Sequence, residues 1–196
     1  MVVGLTGGIG SGKTLVSKVF NQLGVPIYYS DLRAKELSNT HPEIVTLVKK
    51  EFGEDIYVSE KLDRKKVASI VFSDQSKLEK LNAIVHPVVK QDFELWYERY
   101  KKSPYIIKEA AIIVESGLAN QVDKLILVTA PIEKRIERVI KRDQISEKDV
   151  RERMNKQLSD KEKIPYANYI IKNDDTQLVI PQILEIHQSL IKNLKN

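Results

Sequence analysis

The chain contains no cysteine, which excludes a disulfide framework and any thiolate metal site. No apolar run approaches the ~20 residues that a bilayer-spanning helix needs. There is no repeat, no low-complexity tract and no Gly/Ser-rich linker, so solenoids and loosely tethered modules are set aside. The opening Met1-Val2-Val3-Gly4-Leu5 carries neither a basic leader nor a small-residue cleavage site, and a cytoplasmic protein is expected. Two nucleotide signatures are missing as well. The fingerprint G-x-G-x-x-G fails because the third residue after Gly10 is Lys13, which sets aside a nicotinamide enzyme. The guanine motif N-K-x-D fails because Gln157-Leu158 follows Asn155-Lys156, which disfavours a GTPase switch.

What is present is ordinary in bulk. The 196 residues are 42% hydrophobic and 30% charged, enough for one substantial core with room for small inserted subdomains. The 32 Lys and Arg against 27 Asp and Glu give a net charge of +5, which favours a polyanionic ligand such as a nucleotide or coenzyme. Between Lys134 and Lys163 the basic residues are interleaved with acidic ones. That segment reads as a solvated helix face, so neither a nucleic-acid partner nor a membrane partner is expected.

Hydrophobic patterning alternates between strand and helix. Val2–Thr6 reads as a buried strand, and Lys13–Leu23 as a helix with Val16, Val19, Phe20 and Leu23 inward and Gly24 at its end. Val25–Tyr29 reads as a second strand. Residues 33–101 are mostly helical: a segment after His41-Pro42 with Ile44, Leu47, Val48 and Phe52 on one face, then Leu62–Phe72, then Ser76–Tyr100 broken or kinked near His86-Pro87. Strands are expected at Tyr105–Ile107, Ala110–Val114, Leu125–Thr129 and Tyr169–Ile171. Helices are expected at Pro131–Arg142, Glu147–Leu158 and Leu178–Leu194, the last with Ile183, Leu184, Leu190, Ile191 and Leu194 inward. The pattern predicts an α/β fold with a mostly parallel five-stranded sheet.

The chemistry begins between the first strand and the first helix. Gly7-Gly8-Ile9-Gly10-Ser11-Gly12-Lys13-Thr14 satisfies G-x-x-x-x-G-K-[ST] in the right structural context. Glycines allow positive φ, so that successive N–H groups of Gly8, Gly10, Ser11 and Gly12 turn inward as an anion nest. The helix start adds its positive dipole end, Lys13 supplies a charge for the β- and γ-phosphates, and the Thr14 hydroxyl suits a magnesium ion.

Further candidates follow the strands, because ligands of open α/β sheets sit beyond the carboxyl ends. Asp31 follows the second strand. It either orients and deprotonates an attacking hydroxyl or caps the helix starting at Leu32 or Arg33. Glu115 follows the expected Ala110–Val114 strand and either serves magnesium or acceptor groups or caps the Ser116–Gln121 turn. Arg138 and Arg142, four apart on one helix, could close with Arg153 over departing phosphates, or pair with Glu137, Asp143 and Glu152 at the surface.

Nearly end to end, these residues resemble the dephospho-coenzyme A kinases. The resemblance rests on Gly4 through Lys13, on Asp31, on Phe52-Gly53, Leu62-Asp63-Arg64 and Phe72, and on Leu81 through Pro87. It continues through Glu115-Ser116-Gly117, Arg138, Arg142-Asp143, Arg153, Gln157, Ala167 and Asn173. It implies a three-layer P-loop kinase fold that transfers the ATP γ-phosphate to the ribose 3′-hydroxyl of dephospho-coenzyme A, with Mg2+. The implied parts are a nucleotide core (1–31, 103–135 and 161–196), an acceptor subdomain (32–102) and a lid (136–160). By the same resemblance Asp31 is the base, Gly10 to Leu15 bind ATP with Arg142 and Arg138, and His86 belongs to the acceptor site. Four departures stand out. Tyr29 replaces a second Asp, Ala111 replaces a proline, Arg135 replaces a Gln at the start of the lid helix, and Asn168 follows Ala167 in place of an Asp. A nucleoside or nucleotide kinase of similar architecture, and a nucleotide-regulated binding protein without transfer, are the competing readings. A monomer or weak homo-oligomer is expected.

Overall fold

The computed structural model describes residues 1–192 and 194, with Phe72 and Ser73 described by their backbone alone, so the Phe72 side chain of the resemblance lies outside the described residues. In chain order the first elements are β1 (Val2–Thr6), α1 (Lys13–Gln22) and β2 (Ile27–Tyr29). Next come α2 (Ser30–Thr40), α3 (Pro42–Phe52), β3 (Tyr57–Val58), β4 (Lys61–Leu62), α4 (Arg64–Ser73) and α5 (Gln75–Tyr100). The chain then runs through β5 (Ile106–Glu109), β6 (Lys124–Thr129), α6 (Ile132–Asp143), α7 (Glu147–Met154), α8 (Asp160–Lys163), β7 (Tyr169–Lys172) and α9 (Val179–Lys192). The residues pack as two compact units, one of Met1–Tyr29 with Tyr100–Asn196 and one of Ser30–Arg99.

The first unit is built on a five-stranded sheet in the order β2-β5-β1-β6-β7, parallel at every pairing. β1 and β6 are buried along nearly their whole length, on both faces of the sheet, which is why they read as nearly continuous apolar runs. On one face Val3, Leu5, Ile107, Ile126, Val128 and Ile171 meet Val16 and Phe20 of α1 and Ile183, Ile186 and Leu190 of α9. A smaller cluster of Ala110, Ile113, Val114 and Leu125 forms separately. The chain leaves β1 toward β2 on one side and returns past it to β6 on the other. The carboxyl end of β1 is therefore the topological switch point of the sheet, where such folds bind ligands.

Several expectations need correction. β2 starts at Ile27, with Pro26 outside it but still accepting from the Ile107 N–H. The segment Ala110–Val114 is not a strand. β5 ends at Glu109, and the chain then coils, with Ser116 N donating to Ile112 O and Leu118 N to Ile113 O. Its apolar residues are there to pack against Leu125, and a short apolar run does not distinguish a strand from a buried turn. In α9 the buried face is Ile183, Ile186 and Leu190, whereas Leu184 is exposed, as is Leu194, which lies beyond the end of the helix.

The second unit has its own core of Leu37, Ile44, Val48, Ile56, Leu62, Val67, Val85 and Val88. Leu47, expected on the inner face of α3, is exposed. Asp63 caps α4 by accepting from the N–H groups of Lys65 and Lys66. Arg33 grips Asp92 bidentately, Nε to Oδ2 at 3.0 Å and Nη2 to Oδ1 at 2.5 Å, and so joins α2 to α5. The break at His86-Pro87 does not occur, for α5 runs continuously through Pro87. Ala83 and Pro87 both lie on the exposed side of that helix, so the carbonyl deprived of its partner is open to water. The β3–β4 hairpin went unforeseen: its turn residues Ser59 and Glu60 both have positive φ, but neither is the Asn or Gly that usually signals such a turn.

Candidate active site

β1 is buried up to Thr6, and the loop that follows owes its shape to its glycines. Gly10 has φ +78° and Gly12 φ +103°, both in the left-handed region. Space forbids a side chain there as well. A Cβ on Gly10 would lie 2.4 Å from the Arg135 carbonyl oxygen, and one on Gly12 would lie 2.2 Å from Asn173 Nδ2.

The loop's carbonyls are all occupied. Gly7 O accepts from Lys13 Nζ at 2.9 Å, Gly8 O from Ser11 N at 3.1 Å, and Ile9 O from Arg135 Nε at 2.9 Å. Gly10 O accepts from Arg138 Nη1 at 3.5 Å and Ser11 O from Asn173 Nδ2 at 2.8 Å, while Gly12 O begins the ladder of α1. In a planar trans peptide the C=O and the following N–H point in opposite directions. Drawing the carbonyls of Ile9 and Ser11 away thus turns the N–H groups of Gly10 and Gly12 the other way, as an anion nest requires. α1 begins at Lys13 with no side-chain cap on its first amides, leaving donors for a phosphate at the positive end of its dipole. Thr14 and Leu15 are exposed in its first turn.

The residues present suit a magnesium ion of the nucleotide-borne kind. Among the described residues no cluster of three or more His, Cys, Asp or Glu side chains forms a metal cage. A hydroxyl such as that of Thr14 is the protein share expected where phosphates and water supply the remaining oxygens.

The expected arginines separate. Arg138 reaches the loop through Gly10 O and also bonds Asn173 O at 3.1 Å and Asp175 Oδ1 at 3.3 Å. Arg142 instead chelates Asp143, with Nε to Oδ1 at 2.7 Å and Nη2 to Oδ2 at 3.0 Å, and Arg153 joins the same carboxylate at 3.1 Å. These contacts, Arg142 foremost, hold the Asp143 carboxyl below its usual range. Arg142 makes no hydrogen bond to the loop among the described residues.

Glu115 does not cap the turn after it, since Gly117 begins that turn. Its Oε1 lies 2.7 Å from Nζ of the fully buried Lys163 and accepts from Leu158 N at 3.1 Å. The pair ties the end of the β5 connection to the segment before β7. Lys163→Met should cost about 3 kcal/mol in urea unfolding, because it strands a carboxylate in the interior. A loss below ~1 kcal/mol would show that Glu115 is adequately solvated alone.

Asp31 and His86 belong to the second unit. α2 begins at Ser30, so Asp31 is the second residue of the helix, exposed, and is not its cap. A carboxylate there still favours the helix dipole. His86 lies within α5, and desolvation lowers its pKa below the ordinary imidazole value.

Three loop partners were not foreseen as such: Arg135, Gln157, whose Oε1 accepts from Ile9 N at 2.8 Å, and Asn173. Gln157 and Asn173 were marked only by the family resemblance and Arg135 only as a departure from it. No spacing rule links Ile9 to residues more than 120 positions away.

A parallel sheet with a carbonyl-anchored phosphate loop at its switch point, followed by a helix with open amides, defines a P-loop kinase. The comparisons agree. A family model described as dephospho-CoA kinase matches residues 1–178. A dephospho-CoA kinase of Bacteroides fragilis is 39% identical over 184 residues, covering 94% of this chain and 90% of that one. A crystal structure from Thermus thermophilus superposes with a TM-score of 0.86 at 29% identity, over 99% of this chain and 97% of the other. For the fold alone, a dephospho-CoA kinase structure from Campylobacter jejuni gives a TM-score of 0.71 at 23% identity, over 98% of each chain. The chain belongs to the dephospho-CoA kinase family and is an ATP-dependent kinase.

Proposed function

We propose that the chain transfers the γ-phosphoryl group of ATP to the ribose 3′-hydroxyl of dephospho-coenzyme A, giving coenzyme A and ADP. The observation that carries this reading is the loop itself, with the carbonyls from Gly7 to Gly12 all engaged and donors left for phosphate, in a chain of this family.

In this scheme the amides of Gly8, Gly10, Gly12, Lys13 and Thr14 hold the β- and γ-phosphates, while Ser11 and Leu15, whose amides close on Gly8 O and Gly12 O, line the same ATP loop. Lys13 exchanges Gly7 O for a phosphate oxygen, and Arg138 steadies the loop from its carbonyl side. Arg142 would leave Asp143 to reach the nucleotide when the 136–160 segment acts as a lid. Thr14 would hold Mg2+ with the phosphates and water, and the ion would neutralise charge on the β- and γ-oxygens. Asp31 would accept the hydrogen bond of the attacking 3′-hydroxyl, align it with the γ-phosphorus and take its proton late in transfer. Residues 32–102 would carry the acceptor with His86 and Glu115 among its contacts. Among the described residues no helix is long and apolar enough to cross a membrane, and a cytoplasmic monomer or weak homo-oligomer, without a nucleic-acid partner, fits the rest.

A coupled ADP-release assay across acceptors tests this. Dephospho-coenzyme A should be phosphorylated, while AMP, adenosine and shikimate should remain at background. Turnover of AMP or adenosine without dephospho-coenzyme A would establish a nucleoside or nucleotide kinase. Bound ATP with no phosphorylated acceptor in a single-turnover experiment would establish a binding protein.

A further inference from the structure

We propose that Arg135 is a positioning residue for the ATP phosphates, acting through the backbone of the loop; the inference rests on the ATP-binding reading above. Arg135 is the first-turn arginine of α6, and its side chain is only 6% exposed. Its Nε donates to Ile9 O at 2.9 Å, and its Nη1 reaches Asp160 Oδ1 at 3.3 Å. The guanidinium lies against Gly8 so closely that a Cβ there would stand 2.0 Å from Nη2. Its own main chain backs Gly10, whose added Cβ would meet the Arg135 carbonyl at 2.4 Å. Side chain and backbone together thus form a wall along Gly8–Gly10.

That wall has a chemical consequence. Ile9 C=O and Gly10 N–H are two ends of one peptide plane. While Arg135 holds the carbonyl, the N–H is committed to the opposite side, where the nest receives a phosphate. Gln157 Oε1 takes the Ile9 N–H at 2.8 Å, so the peptide plane before Ile9 is anchored too. With Arg135 absent, glycine at position 10 offers almost no barrier to reorientation of the plane, and a carbonyl turned inward would repel the anion. Arginine suits the task because its rigid fork bonds the loop through one nitrogen and an anchoring carboxylate through another.

Two substitutions isolate the donor. Arg135→Gln places an amide nitrogen as many bonds from Cα as Nε, whereas Arg135→Met places a methyl group there. By calorimetry with Mg·ATP and no acceptor, Arg135→Met should bind about tenfold more weakly than wild type, and Arg135→Gln within about threefold of it. KM for ATP should rise in parallel while KM for dephospho-coenzyme A stays constant, and exchange of the Gly8–Ser11 amides should quicken in the Met variant. Asp160→Asn, at a partly exposed anchor, tests the far end of the fork in a chain that still folds, with ATP binding about threefold weaker. Wild-type ATP affinity in both Arg135→Met and Asp160→Asn would overturn the inference. So would equal losses in the Met and Gln variants that merely follow their melting temperatures. Wild-type protein that binds ATP without phosphorylating dephospho-coenzyme A would overturn the acceptor assignment and leave this inference standing. Wild-type protein that binds no ATP would overturn both.

Discussion

Replacing Lys13 with alanine should lower kcat/KM for ATP by about a hundred- to a thousandfold, the loss typical when one preorganised charge-stabilising donor is removed. The ammonium rests on Gly7 O at 2.9 Å, a bond within its own loop. Moving from that carbonyl to a phosphate oxygen exchanges a neutral acceptor for an anionic one, and the gain grows as charge develops during transfer. The side chain is only partly buried and is not part of a hydrophobic cluster, so the melting temperature should change little. Steady-state ADP release together with a thermal melt separates the two effects. Retained activity would contradict phosphoryl transfer at this loop.

A second large effect is expected at Asp31, where asparagine should reduce kcat by about a hundred- to ten-thousandfold, the range of a positioned general base. ATP affinity should remain within about twofold, since asparagine keeps the size of the side chain and the change falls on the acceptor's hydroxyl and not on the loop amides. The alternative role has a different signature. Asp31 is the second residue of α2 and not its cap, and through the helix dipole the loss of its charge should cost ~0.3–1 kcal/mol of stability. A fall in melting temperature with kcat unchanged would assign the carboxylate to the helix start. Unchanged stability and unchanged kcat would require another residue to orient the hydroxyl.

Local rules suffice where the chemistry is itself local. Gly7 through Thr14 was legible because its chemistry depends on consecutive residues: glycines for positive φ, a lysine and a hydroxyl on the first helical turn. The alternation of apolar strands and helices likewise gave the parallel sheet, since strands covered on both faces must be apolar throughout. The errors fell where one local pattern fits two structures. Ala110–Val114 is as apolar as a strand but coils to pack on Leu125. Pro87 reads as a helix break, yet α5 passes through it on its exposed side. Leu184 fits a helical repeat as well as Ile186 does, and only the position of α9 over the sheet chose between them.

Glu115 and the arginines show the same division in the site. Their residue types suited several roles, and sequence spacing left these open. In the fold Glu115 faces Lys163, Arg142 and Arg153 face Asp143, and Arg138 meets the loop.

By itself the sequence determined the sheet, the phosphate loop and the family, because each is written in residues that act on near neighbours or in an ordered set of motifs along the chain. Only the tertiary structure decided what holds the loop in shape. Arg135, Arg138, Gln157 and Asn173 reach it from two later segments of chain. Those bonds exist because β6 lies beside β1 and β7 beside β6 in the sheet order, a proximity that no periodicity in a linear chain encodes.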